Sequence, residues 1–160
     1  MFKVFIGGPI QYMLESEDAK SKMKSLIAKL SEYVEQSAGV VLNAHTVEEF
    51  GDKLALWDVK SIAWRDYNWM CECDIFIALF ASDSYGHVLR SDGTHIEFGW
   101  ATAMNKPAVM VTESLTFAPA SDLLKGLIEE NRIKHITFEQ LFSRKNVFTH
   151  FFEKSTKELV

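Results

Sequence analysis

The stretch Ser91-Asp92-Gly93-Thr94-His95-Ile96-Glu97-Phe98-Gly99-Trp100-Ala101 holds the chain's densest set of chemically useful side chains. Gly93 permits a tight turn and a close backbone approach to a ligand. Ser91 offers a hydroxyl, and the amides that follow it open a helix. Together they form a cradle for an anion such as a phosphate. Glu97 falls in the first turn of that helix and projects into the same crevice, where a carboxylate can act as a nucleophile. An acid in a first turn also simply favours the helix dipole, and spacing alone does not separate the two roles.

Two further residues fit the same crevice. Asp66 lies two helical turns and one residue before Asp74, which puts it inside a helix at the crevice wall. A solvated ion pair with the adjacent Arg65 is the plainer role for it. His45, in Asn43-Ala44-His45, follows a short strand and sits at the crevice end, placed for a leaving-group or phosphate role. His95 and Glu97 form H-x-E, and Cys71 and Cys73 form C-x-C. Zinc deaminases carry H-x-E followed downstream by P-C-x-x-C. Here the cysteines come first and their spacing is wrong, so that reading fails and no metal is expected.

The elements that must hold these residues alternate between strand and helix. Residues 2–6 (FKVFI) read as a strand ended by Gly7-Gly8-Pro9. Over 16–36 the residues Met23, Leu26, Ile27, Leu30, Tyr33 and Val34 recur at helical spacing. A second strand is expected at 40–42, a polar loop at 43–54 and a helix at 55–73. Residues 74–80 form the clearest buried strand, and 81–93 a polar loop. Then come a helix at 94–104, a strand at 107–112, a helix at 121–130, a strand at 133–136 and a closing helix at 147–159. Such alternation implies a parallel sheet covered on both faces. Five strands in one domain over 1–160 suggest a doubly wound, flavodoxin-like α/β fold of order 2-1-3-4-5. Ligands of such sheets bind outside the carboxyl ends of the strands, at the switch between strands one and three.

Composition bounds the functional class. The chain has 160 residues, 48% of them hydrophobic, enough to cover both faces of one central sheet. The formal charge of −5 provides no basic field for nucleic acid. Met1 to Leu14 does not read as a secretory signal, because Gly-Gly-Pro interrupts its apolar run. No stretch is long enough to span a bilayer. Cys71 and Cys73 are poorly placed to pair with each other. These features suggest a cytoplasmic protein with reduced thiols.

The ordered set of motifs resembles the nucleoside 2-deoxyribosyltransferase superfamily. It comprises Phe5-Ile-Gly-Gly-Pro9, Asn43-Ala-His45, Asp66 eight residues before Asp74, and Gly93-Thr-His-Ile-Glu-Phe-Gly-Trp-Ala101, and the match spans Phe2 to about Gly126. Within the superfamily the strings most resemble the nucleoside 5′-monophosphate N-glycosidases, including CMP and hydroxymethyl-CMP hydrolases. That resemblance implies a Glu97 nucleophile assisted by Asp66 and His45, without a cofactor. It also implies a substrate cradle from Gly7, Gly8, Pro9, Ile10, Tyr12, Ser91 and Gly93. A homodimer is implied too, with Ser121 of one copy completing the phosphate site of the other. Ser121 also suits a plain helix N-cap. Transferases of the superfamily usually carry Asp two residues before the glycine, whereas the monophosphate hydrolases tend to carry Ser, as this chain does at Ser91. An Asp repels a phosphate, and a hydroxyl donates to it. Ile10 departs from the aromatic residue of the hydroxymethyl-CMP hydrolases, with Tyr12 as a substitute stacking surface. Hydrolysis of a CMP-like nucleotide through an ester at Glu97 is therefore expected. Base exchange between nucleosides and a nucleotide-binding sensor without turnover are the competing readings.

Overall fold

A computed structural model describes residues 2–10, 17–82, 91–116 and 121–143. Its centre is a five-stranded parallel sheet of order β2-β1-β3-β4-β5. The strands are β1 (Lys3–Gly7), β2 (Val40–Asn43), β3 (Ile75–Leu79), β4 (Ala108–Thr112) and β5 (Lys134–Thr137). The fold class and strand order are those expected from the alternation. Register follows from side-chain period two: Phe5 stands beside Phe76 and Ile6 beside Ile77, while Ile77 stands beside Val109. Each strand thus feeds two cores. Val4, Ile6, Ile75, Ile77, Leu79, Val109 and Val111 face one layer. Phe5, Phe76, Ala78, Phe80, Ala108 and Met110 face the other. A strand buried on both sides reads as an unbroken apolar run, which is why β3 was plain in the sequence.

Helix α1 (Glu17–Gln36) covers the first layer with Met23, Ile27, Leu30 and Val34, spaced at one helix face. Burying each such side chain contributes about 1.5–3 kcal/mol before chain entropy is counted. Helices α3 (Val59–Glu72), α4 (Asp92–Ala103) and α5 (Asp122–Glu129) cover the second layer. A short α6 (Phe138–Ser143) follows β5 directly and adds Leu141 to the first core.

Four boundaries differ from the sequence reading. The expected loop at 43–54 contains a short helix, α2 (Ala44–Val47), and a 3-10 turn (Glu49–Gly51). Asn43 caps α2 by accepting from Thr46 N at 3.3 Å. Helix α3 begins at Val59 rather than residue 55, because Asp58 caps it by accepting from Ser61 N. Helix α4 begins at Asp92, two residues early, with Ser91 as its cap. Helix α6 had no counterpart in the reading. The closing helix expected at 147–159, Tyr12 and residues 83–90 of the expected loop lie outside the described residues.

No helix among the described residues is long and apolar enough to cross a membrane. They also hold no cluster of three or more His, Cys, Asp or Glu that could bind a metal.

Candidate active site

The carboxyl ends of β1 and β2 open into a cavity of about 220 Å³. It lies beside the switch of the sheet between β1 and β3, where successive strands are added to opposite edges. Four elements line it. Gly7, Gly8, Pro9 and Ile10 come from the end of β1, and Ala44, His45 and Glu48 from the α2 segment. Ile62 and Asp66 come from α3, and residues 91–94 with Glu97 from the start of α4. The structure therefore brings together every site residue expected from the sequence except Tyr12 and Ser121. Tyr12 is undescribed. Ser121 caps α5 by accepting from Leu124 N at 3.4 Å and does not line the cavity of its own chain.

Glu97 is buried, and its Oε2 has no hydrogen-bond partner among the described residues. Burial pushes its carboxyl up to about 8; the charge of Asp66 adds to the rise, Arg65 opposes it and Glu48 adds again. A carboxyl raised that far favours its protonated form at neutral pH, whereas the sequence reading has Glu97 attack as the ionised carboxylate. Its approach to β1 depends on Gly7. A Cβ on Gly7 would sit 2.6 Å from Glu97 Oε2 and 2.7 Å from the Phe76 ring. Gly8 is equally constrained: a Cβ there would lie 2.7 Å from the Leu79 carbonyl oxygen and 3.2 Å from His45 Nε2.

Asp66 does pair with Arg65, Nε to Oδ1 at 2.8 Å, so the plainer reading was right about the contact. It was wrong about the setting, since the two side chains are only 14% and 12% exposed and Asp66 lines the cavity. Burial raises the Asp66 carboxyl, and Arg65 counteracts that rise. The same guanidinium reaches Glu48, Nη2 to Oε1 at 2.5 Å. Glu48 is almost fully buried, and its carboxyl is raised by burial against the pull of Arg65. Sequence reasoning missed Glu48. Its signal was the spacing His45 to Glu48, one turn of a helix, in a stretch taken as loop. Directly after Glu48 the backbone turns sharply, with Glu49 (φ 48) and Phe50 (φ 57) both left-handed.

His45 is fully buried, and among the described residues neither ring nitrogen has a partner in hydrogen-bond geometry. Burial drives its imidazole down to about 3, while the Gly8 backbone lies near enough to oppose that shift slightly. His45 is thus neutral at any physiological pH. It can donate or accept a hydrogen bond but cannot arrive as an imidazolium acid.

The helix end is also built differently from the expectation. Ser91 Oγ accepts from Thr94 N at 3.4 Å and contacts Thr94 Oγ1 at 2.5 Å. Gly93 is the second residue of the helix rather than part of a tight turn before it. A Cβ there would meet nothing within 4 Å. The bare Gly93 and its amide leave room for a ligand at the positive end of α4. Asp92 lines the same opening. His95 turns back to the cap, with Nδ1–H donating to the Ser91 carbonyl at 2.5 Å, and takes no place in the cavity wall.

The family model for nucleoside 2-deoxyribosyltransferase matches residues 4–138. The chain belongs to this family. No curated protein sequence matches it. Among solved structures it resembles the Clostridium botulinum CMP N-glycosidase BcmB at 23% identity and TM-score 0.56. That alignment covers 94% of this chain and 98% of that one. It resembles BlsM, known from a solution structure, at 23% identity and TM-score 0.67, over 90% and 86%. A conserved protein from Enterococcus faecalis V583 is similar at 20% identity and TM-score 0.53, over 86% and 81%. At these identities the structural likeness is one of fold. Family membership points to a nucleoside-processing enzyme.

Proposed function

We propose that the protein hydrolyses the N-glycosidic bond of a pyrimidine nucleoside 5′-monophosphate, CMP or its deoxy form, with Glu97 as nucleophile. The observation that carries this reading is the buried, unpartnered Oε2 of Glu97, held on the cavity beside Asp66 by the absence of a side chain at Gly7. A buried carboxyl without a partner is costly, and such groups accumulate where a ligand completes them.

The resting proton on Glu97 balances the reaction. A departing nucleobase needs a proton, and the attacking carboxylate must lose one. In the first step an oxygen of Glu97 bonds to C1′ and the C1′–N bond breaks, with its electron pair on the base. The proton from Glu97 reaches that base through Asp66. In the second step water attacks C1′, the C1′–O bond to Glu97 breaks, and the proton from water returns to the carboxylate pair. Two displacements at one carbon retain configuration. The products are free base and (deoxy)ribose 5-phosphate. Neutral His45 serves as a hydrogen-bonding wall. The end of β1, together with Ser91 and Gly93 at the start of α4, receives the sugar phosphate, and that remote binding fixes C1′ against Glu97. Ser121 reaches a substrate only from a second copy of the chain, so this reading includes a homodimer. The free Cys71 and Cys73 fit a cytoplasmic setting.

One observation favours a second reading, base exchange between nucleosides. Asp92 lines the opening of α4, where an acid accepts a hydrogen bond from a free 5′-hydroxyl and repels a phosphate. A panel of nucleosides and their monophosphates decides between the two, with free base read by chromatography in the presence of labelled cytosine. Release of base from CMP or dCMP but not from cytidine supports the hydrolase. Incorporation of labelled base faster than release of sugar phosphate replaces it with the transferase.

A further inference from the structure

Among the described residues, acids outnumber bases around the cavity. The described titratable and charged groups there are His45 and Glu48 from the α2 segment, Arg65 and Asp66 from α3, and Asp92 and Glu97 from α4. The described end of β1 adds none. Three of the carboxyl groups, on Glu48, Asp66 and Glu97, are buried or nearly so, and one guanidinium serves them. Arg65 is held there from several sides. Its guanidinium carbon lies 4.9 Å from the Trp69 ring centroid and 5.2 Å from that of Trp57. Its Nη2 is committed to Glu48 and its Nε to Asp66. Two aromatic faces and two carboxylates leave the planar fork one orientation.

The contact pattern has a directional consequence. Arg65 takes Oδ1 of Asp66 and leaves Oδ2 as the oxygen available to a ligand. Glu48 points at the far arm of the same fork and makes no hydrogen bond to Asp66 or Glu97 among the described residues. Its carboxylate shares the one cation that, among the described residues, acts on the other two.

We propose that Arg65, locked by Glu48 and the two tryptophans, is the positioning residue of this site: it fixes the Asp66 carboxylate and sets how readily Asp66 and Glu97 exchange a proton. The role rests on the reaction proposed above, in which those two carboxyls move one proton between nucleophile and leaving base. Arg65 is not among the residues that line the cavity. Glu48 acts one step further out, by holding the fork and dividing its charge.

The test titrates the carboxyl carbons of Glu97 and Asp66 by 13C NMR in the ligand-free protein, for the parent, Glu48→Gln and Arg65→Lys. Glutamine is isosteric and still accepts from Arg65, so Glu48→Gln keeps the packing while removing one like charge. The Glu97 titration should move down by roughly half a pH unit or more. The alkaline limb of kcat/KM should move with it. Arg65→Lys keeps a cation but loses the fork. The Asp66 titration should move up, and kcat should fall by roughly tenfold with KM little changed, as for a misplaced catalytic group. A merely structural Arg65 would lower the melting temperature and leave both titrations in the folded protein where they were. Unchanged titrations in a folded Glu48→Gln protein overturn the proposal, whatever the activity. The two proposals fail separately: absence of base release by the parent removes the reaction, while the titrations still report whether Arg65 and Glu48 govern the carboxyl pair.

Discussion

Replacing Glu97 by glutamine should abolish turnover and stabilise the protein at the same time. The free Glu97 carboxyl has an ordinary value of 4.5, and burial pushes it to about 8 in the folded chain. Between those limits the unfolded chain is ionised and the folded chain is protonated. Rising pH therefore draws protons from the unfolded state first and favours unfolding. Each pH unit in that window costs about 1.4 kcal/mol per proton. At pH 7 the accumulated cost is about 3 kcal/mol, a large fraction of a small domain's stability. Glutamine has the same shape and carries no proton to lose, so Glu97→Gln escapes the whole of it. Urea unfolding of both proteins at several pH values measures the difference. The two should be nearly equal near pH 4.5. The variant should gain steadily to pH 7 and level off above about pH 8. A difference that stays flat from pH 4.5 to 8, or a variant that is weaker at pH 7, would refute the claim that Glu97 is held protonated by burial. In the same samples, base release should fall by at least roughly a thousandfold, about 4 kcal/mol of barrier.

Three further outcomes follow from the geometry. In the proposed reaction one proton shared by Glu97 and Asp66 is the active form, so kcat/KM for a monophosphate should fall on the alkaline side with a pKa near the Glu97 value of about 8. A rise through pH 8 would mean that an ionised Glu97 is the form that binds and reacts. Gly7→Ala should push Glu97 and the Phe76 ring aside, since its Cβ would lie within 3 Å of both. The expected result is roughly 1–3 kcal/mol of destabilisation by chemical denaturation, with activity falling further than stability explains. Ser91→Asp retains an N-cap acceptor for Thr94 but adds negative charge at the α4 opening. It should raise KM for CMP and leave KM for cytidine unchanged, and an equal effect on both would disconnect Ser91 from the phosphate.

Local pattern in the chain was enough to establish the sheet, its strand order and most of the cavity wall. Strands buried on both faces are apolar throughout, as in residues 75–79, and α1 displays its buried face at helical spacing. Loops that follow parallel strands must gather at one edge, so Gly7, Gly8, His45 and Ser91 had to converge once the order was known. What the bare Gly7 accommodates was not legible there: a Cβ on it would lie 2.6 Å from Glu97 Oε2. Only the tertiary structure decided the chemistry of the titratable groups. Whether Glu97 is charged depends on how little water reaches it and on Asp66, Arg65 and Glu48, which come from other elements. Whether the Arg65–Asp66 pair is a solvated ornament or a buried clamp depends on Glu48, 17 residues away, and on two tryptophan faces. His45 looks like any loop histidine until burial makes it neutral. Spacing along a chain reports which face a side chain shares. Desolvation and charge pairing are properties of three-dimensional neighbourhoods, and a one-dimensional pattern does not contain them.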